Sequence, residues 1–91
     1  MTRIGDNLRP VLVSAVTQAA ARRARAALIR RNAELFWRRS LHPEADPFAA
    51  SDPGWTAEAR TARERFRRAH AAEMRARDHE ADRRLALEEA L

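Results

Sequence analysis

Seven arginines, Arg22, Arg23, Arg25, Arg30, Arg31, Arg38 and Arg39, fall into clusters spaced about two helical turns apart. A guanidinium is planar, always charged and carries five donors in a rigid fork, so it suits carboxylates and phosphates. At roughly 100° per residue the clusters spread around a helix axis. A helix that reads a nucleic-acid groove carries a one-sided basic strip instead. The spread therefore argues against a base-reading helix and leaves three readings in order: charge that keeps an Ala-rich helix soluble, contact with an acidic protein surface, and phosphate contact without base reading. Ile29, Phe36 and Trp37 lie among these arginines. The candidate partner-binding set is Arg22, Arg23, Arg25, Ile29, Arg30, Arg31, Phe36, Trp37, Arg38 and Arg39.

Two further pairs resemble helical metal ligands, His70 with Glu73 and His79 with Asp82. One ion would need both pairs on one face, yet at 100° per residue they point roughly oppositely. No metal site is expected from them. With no Cys, thiolate ligands, disulfides and cysteine nucleophiles are excluded. Neither Gly5 nor Gly54 sits in a phosphate-binding loop, and no Ser/His/Asp grouping can be argued. Catalysis needs preorganised groups around a cleft. The chain is expected to be no enzyme and to use no cofactor.

The elements that position these residues follow from composition. Ala, Arg, Glu and Leu dominate the 91 residues, and all are strong helix formers. No stretch alternates as a strand does. The expected class is all-α: two long antiparallel helices, a helical hairpin, joined by a Pro-rich elbow in one domain spanning 1–91. Residues 1–7 form an arm, with Asp6 or Asn7 as cap and Pro10 in the first turn. Helix 1 runs 8–41 and ends where His42 precedes Pro43. The elbow, 42–52, holds a single helical turn at Asp46–Ser51, and Asp52-Pro53 opens helix 2, 53–91.

Helix 1 is both the most apolar and the most basic part. Leu8–Leu41 holds eleven of the twenty large aliphatic and aromatic side chains and eight of the eighteen arginines. Its leading stripe is Leu8, Leu12, Ala15, Val16 and Ala19. From Ala24 two stripes appear, one of Ala24, Ala27, Leu28 and Leu35, the other of Ile29, Ala33, Phe36 and Trp37. Apolar sides in two directions imply two neighbours. Helix 2 has one stripe, Trp55, Ala59, Ala62, Phe66 and Ala69, thinning to Met74, Ala81 and Leu85. Trp37, Leu41, Phe48 and Trp55 are expected to cluster at the elbow, with Leu12 and Val16 near Met74, Ala81 and Leu85.

The charge is uneven. Residues 1–42 carry nine arginines against two acids, the elbow three acids and no base, and residues 56–91 nine arginines against eight acids. Lysine is absent. With 21 alanines the chain has little area to bury, so a second copy or a larger partner is expected to complete the core. No run approaches the ~18 apolar residues of a membrane span. The absence of Cys and of a secretory signal fits a cytoplasmic location. The leading expectation is a non-enzymatic helical interaction protein, a small accessory or structural subunit of a larger bacterial or phage assembly, docking through the apolar and Arg-rich faces of helix 1. The alternative is a small basic nucleic-acid-associated protein touching phosphates with the same arginines.

Overall fold

Two helices account for about four fifths of the chain, α1 over Ile4–Ser40 and α2 over Ala57–Ala90. The computed structural model describes the backbone of residues 4–91 and side chains from residue 8 onward. Met1 to Arg3, within the arm expected from the sequence, lie outside the described residues. The helices run antiparallel as a hairpin 70 Å long and 16 Å in each cross direction.

α1 begins earlier than its turn signal implies. Gly5, Asp6 and Asn7 are already helical, so neither Asp6 nor Asn7 is the cap, and Pro10 stands inside the helix. Proline omits one intrahelical N–H at that point, a cost confined to the helix's outer end. At the other end Leu41 donates its N–H to the Arg38 carbonyl at 3.4 Å, a tightened last turn. Arg38 and Arg39 in that turn face the negative end of the helix dipole.

The elbow is a chain of tight turns rather than a helical turn followed by a helix start. Backbone N–H groups of Ala45, Ala49, Asp52 and Trp55 each donate to the carbonyl three residues back, at 2.9–3.2 Å. Asp46 Oδ1 accepts from the Phe48 N–H at 2.9 Å, and Asp52 Oδ1 from the Gly54 N–H at 2.8 Å. This is the physical reason the sequence misleads here. An Asp-Pro step closes an Asx turn with the same carboxylate chemistry that would cap a helix. Gly54 is needed for room: a Cβ there would stand 2.5 Å from the Ala45 Cβ.

Thr56 is the true cap of α2. Its hydroxyl accepts from the Ala59 N–H at 2.9 Å and donates to the Ser40 carbonyl at 3.2 Å. One side chain thus serves an unpaired donor of α2 and an unpaired carbonyl of α1. Thr56→Ala is expected to lower stability by about 1–2 kcal/mol, read by urea denaturation. A midpoint unchanged from wild type would mean the two helix ends are coupled otherwise.

The seam between the helices steps alternately by four and three residues. On α1 it runs Leu12, Val16, Ala19, Arg23, Ala26, Arg30, Ala33 and Trp37, all buried or half-buried. The seam of α2 starts with Trp55 just before the helix and continues Ala59, Ala62, Phe66, Ala69, Glu73, Ala76 and Glu80, all buried except Phe66, which is half-buried. This is the heptad geometry of a coiled coil. Alanine fills every second position of the central stretch of α1 and of α2 from Ala62 to Ala76, which keeps the hairpin narrow. The intervening positions meet across the seam in steps of seven: Arg23 with Glu80, Arg30 with Glu73, Trp37 with Phe66.

The apolar core sits at the elbow end. Trp37 and Trp55, each 4% exposed, pack with Ala59 and Ala62, and Leu41, Ala45 and Phe66 lie against them. The Trp37 ring lies 5.8 Å from that of Trp55 and stacks on Phe66 at 5.4 Å. Trp55 Nε1 donates to the Asp46 carbonyl at 2.8 Å, which ties the elbow onto the cluster. Arg63 lies over both indoles, 5.9 Å from Trp37 and 5.6 Å from Trp55.

Three expectations need correcting. Phe48 is 82% exposed and takes no part in the cluster. The Asx turn at Asp46 carries it to the outside of the elbow. Ala81 and Leu85 are also exposed, so the far stripe is not Met74, Ala81 and Leu85. The seam passes instead through Glu73, Ala76 and Glu80. Neither stripe of α1 faces α2 as a unit: Ala33 and Trp37 are buried, whereas Leu28, Ile29, Leu35 and Phe36 stay 45–56% exposed. The face turned to α2 lies between the two stripes and includes Arg23 and Arg30.

Candidate interaction surface on the first helix

The fold sorts the arginines of α1 by their angle to the seam. Arg30 donates from Nε to Glu73 Oε1 at 2.8 Å and from Nη1 to Glu34 Oε1 at 3.0 Å. Arg23 donates from Nε to Glu80 Oε1. Both arginines join the helices to each other.

Glu73 and Glu80 are 2% and 6% exposed, and a buried carboxylate survives only if it is paired and hydrogen-bonded. Each is held between an arginine of α1 and one a turn along α2. Arg77 lies 3.5 Å from Glu73, and Arg84 lies 2.8 Å from Glu80. The hydrogen bond from Arg30 is the main cause that holds the Glu73 carboxyl below its ordinary pKa, against the opposing effect of burial. For Glu80 the main cause is the hydrogen bond from Arg84, with Arg23 adding to it. Arg30 is raised in turn, chiefly by its bond to Glu73. These carboxylates are therefore kept ionised and occupied by arginines.

Arg38 has a mixed position. It lies 3.7 Å from Glu34 and 5.7 Å from the centre of the Trp37 ring, with its side chain half exposed. A continuous run of alternating charge results, Arg77–Glu73–Arg30–Glu34–Arg38, crossing from α2 to α1. Arg22, Arg25, Arg31 and Arg39 are exposed, and among the described residues they make no ion pair.

Of the ten-residue candidate set, the structure engages three in the packing of the two helices, although Arg23 and Arg30 stay partly exposed. Trp37 is in the core, 4% exposed. Arg23 and Arg30 already hold Glu80 and Glu73. The seven others, Arg22, Arg25, Ile29, Arg31, Phe36, Arg38 and Arg39, share the outside of α1. Glu73 and Glu80 are the residues whose place in the seam the sequence reading missed. The signal was present: the four-three spacing that picks out Phe66 and Ala69 continues through both.

The exposed apolar side chains are concentrated on the same helix. Among the described residues, Leu8, Val11, Val13, Leu28, Ile29, Leu35 and Phe36 are large, apolar and exposed on α1, against Leu85 within α2. The last four of α1 form two ridges in the half of that helix nearest the elbow. Leu28 and Leu35 point roughly 160° away from the seam at 100° per residue. Ile29 and Phe36 stand beside the seam, and Phe36 borders an open depression completed by Ala57, Glu58, Thr61, Ala62 and Arg65. Among the described residues no group of His, Cys, Asp or Glu is arranged to hold a metal ion, and no helix is long and apolar enough to cross a membrane. Compared with protein-family models, curated proteins and solved structures, the chain matches none.

Proposed function

We propose that the protein is a non-enzymatic interaction module, an accessory or structural subunit that docks on a larger protein through the outer surface of α1. The observation that carries this reading is the two ridges of Leu28 with Leu35 and Ile29 with Phe36, 45–56% exposed, set among exposed arginines that make no ion pair among the described residues. A monomer gains nothing from displaying four large apolar side chains in one half of a helix, and exposed apolar patches mark interfaces. Their flanking arginines suit the polar, solvent-accessible rim of an interface, a setting in which arginine is enriched over the rest of the surface. The lean core agrees: two tryptophans and alanines leave the stability of the hairpin open to support from a partner.

The test is a nuclease-treated affinity purification from native cells, washed in high salt and read by mass spectrometry. Wild type is expected to retain one or two proteins in stoichiometric amount, and a variant with Leu28, Ile29, Leu35 and Phe36 each changed to Glu to lose them. A bait that returns alone in both cases would overturn the reading. The four exposed arginines also support a second reading, phosphate contact. In that case nucleic acid would be retained only at low salt, with log K falling against log salt at a slope of about −4 for four contacts.

A further inference from the structure

We propose that the side of the hairpin bearing Ile29 and Phe36 receives an acidic amphipathic helix from another protein, which packs as a third strand of the coil. The proposal rests on the docking reading above and says which face docks and on what chemistry.

Phe36 stands at the boundary between the helices, next to Thr61, Ala62 and Arg65 of α2. Ile29 is one heptad back on α1, so the two share a face and repeat at the interval a supercoiled helix presents. Between the helices, the small seam residues Ala33, Ala62 and Ala69 alternate with the Arg30–Glu73 pair and the Trp37–Phe66 stack. The depression beside Phe36, with small alanines at every second seam position, leaves room for the bulky side chains of a third helix. The opposite ridge, Leu28 and Leu35, has no second wall, because it points away from α2.

The charge around the groove selects the occupant. Arg22 and Arg25, a turn or two from Ile29, and Arg65 across the groove are exposed and make no ion pair among the described residues. The acid on the rim is Glu58. A partner segment with carboxylates flanking its apolar stripe would pair with these arginines and gain orientation from them. A symmetric dimer through this face is disfavoured, because both copies would bring the basic first helix, with eight arginines and one acid over residues 8–41, to the contact. Nucleic acid is disfavoured by the two large apolar side chains at the centre.

The experiment is photocrosslinking of the full chain in native cells, with p-benzoylphenylalanine placed singly at Ile29, Phe36, Leu28 or Leu35, followed by mapping of the joined peptide. The expected result is an adduct from Ile29 and Phe36, stronger than from Leu28 and Leu35, to a segment with acidic residues and apolar residues at three-four spacing. Changing Arg22, Arg25 and Arg65 together to Glu should cut its yield at least about fivefold. An adduct confined to Leu28 and Leu35 would overturn the groove assignment while leaving docking through α1 intact. A segment that is not acidic, an adduct of twice the chain's own mass, or one removed by nuclease would overturn the proposed occupant. No adduct at any of the four positions would overturn the docking reading as well.

Discussion

Trp37→Ala should cost roughly 3–5 kcal/mol, the usual range for removing a buried indole from a core. In a chain of this size that corresponds to a melting temperature lower by roughly 12 °C or more. Trp37 touches both other members of the aromatic cluster, with Trp55 at 5.8 Å and Phe66 at 5.4 Å between ring centres. The remaining buried apolar residues besides Trp55 are alanines, each of which removes little surface from water. The elbow-end cluster therefore supplies a large share of a stability that totals only roughly 5–15 kcal/mol in ordinary domains.

A second feature makes a comparison possible. The Trp37 Nε1 is buried and has no hydrogen-bond partner among the described residues. An unpaired buried donor carries its own desolvation cost, about 1–3 kcal/mol. Trp37→Phe removes that donor and keeps an aromatic ring, so it should cost much less than Trp37→Ala. Leu28→Ala, on the exposed ridge, should change stability by no more than about 0.5 kcal/mol. Circular dichroism melts of the three variants check the ranking. Equal melting temperatures for Trp37→Ala and Leu28→Ala would show that the cluster does not hold the hairpin together.

Glu73→Arg is the second change expected to be severe. It replaces a 2%-exposed carboxylate with a cation and sets it against Arg30 and Arg77, which now hold that carboxylate. A buried charge with like-charged neighbours is compensated by nothing. The variant is expected to lose its cooperative melt at neutral pH. Adding Arg30→Glu should restore it in part, since the pair is then reversed across the seam. Recovery stays partial because the new carboxylate on α1 would lie beside Glu34, and the new guanidinium on α2 beside Arg77. A double variant no better than the single one would sink the claim that this contact sets the register of the helices.

The same pairs predict a response to acid. Folded Glu73 and Glu80 titrate below their ordinary range because Arg30, and Arg84 with Arg23, hold the charged forms. A carboxylate whose folded pKa is depressed contributes its stabilisation in full above the unfolded value, about 4.3. That contribution is lost as pH falls through the lower folded pKa. The melting temperature should therefore fall progressively as pH drops below the ordinary glutamate range. In the Glu73→Gln, Glu80→Gln double variant the wild-type slope should largely vanish.

Much of the hairpin was legible. Pro43 stops α1, the Ala- and Arg-rich stretches admit only helices, and the four-three run from Trp55 to Ala69 names the face of α2 that packs. Other features were open to two readings of equal local chemistry. Asp52-Pro53 opens a helix in one setting and closes a turn in another, and Thr56 decides which. Ile29, Ala33, Phe36 and Trp37 read as one stripe, but the seam cuts through it, burying Ala33 and Trp37 and leaving Ile29 and Phe36 outside.

By itself the sequence determined the class of the fold, two helices in one hairpin, and the concentration of positive charge in its first half. Helix propensity, proline placement and charge counts are local properties and need no knowledge of what lies opposite. Only the tertiary structure decided which arginines are structural and which are available. Arg22 and Arg23 are chemically identical neighbours, yet about 100° of helix rotation turns one toward solvent and the other toward Glu80. That outcome depends on the register in which a second helix, more than fifty residues away in sequence, is laid against the first.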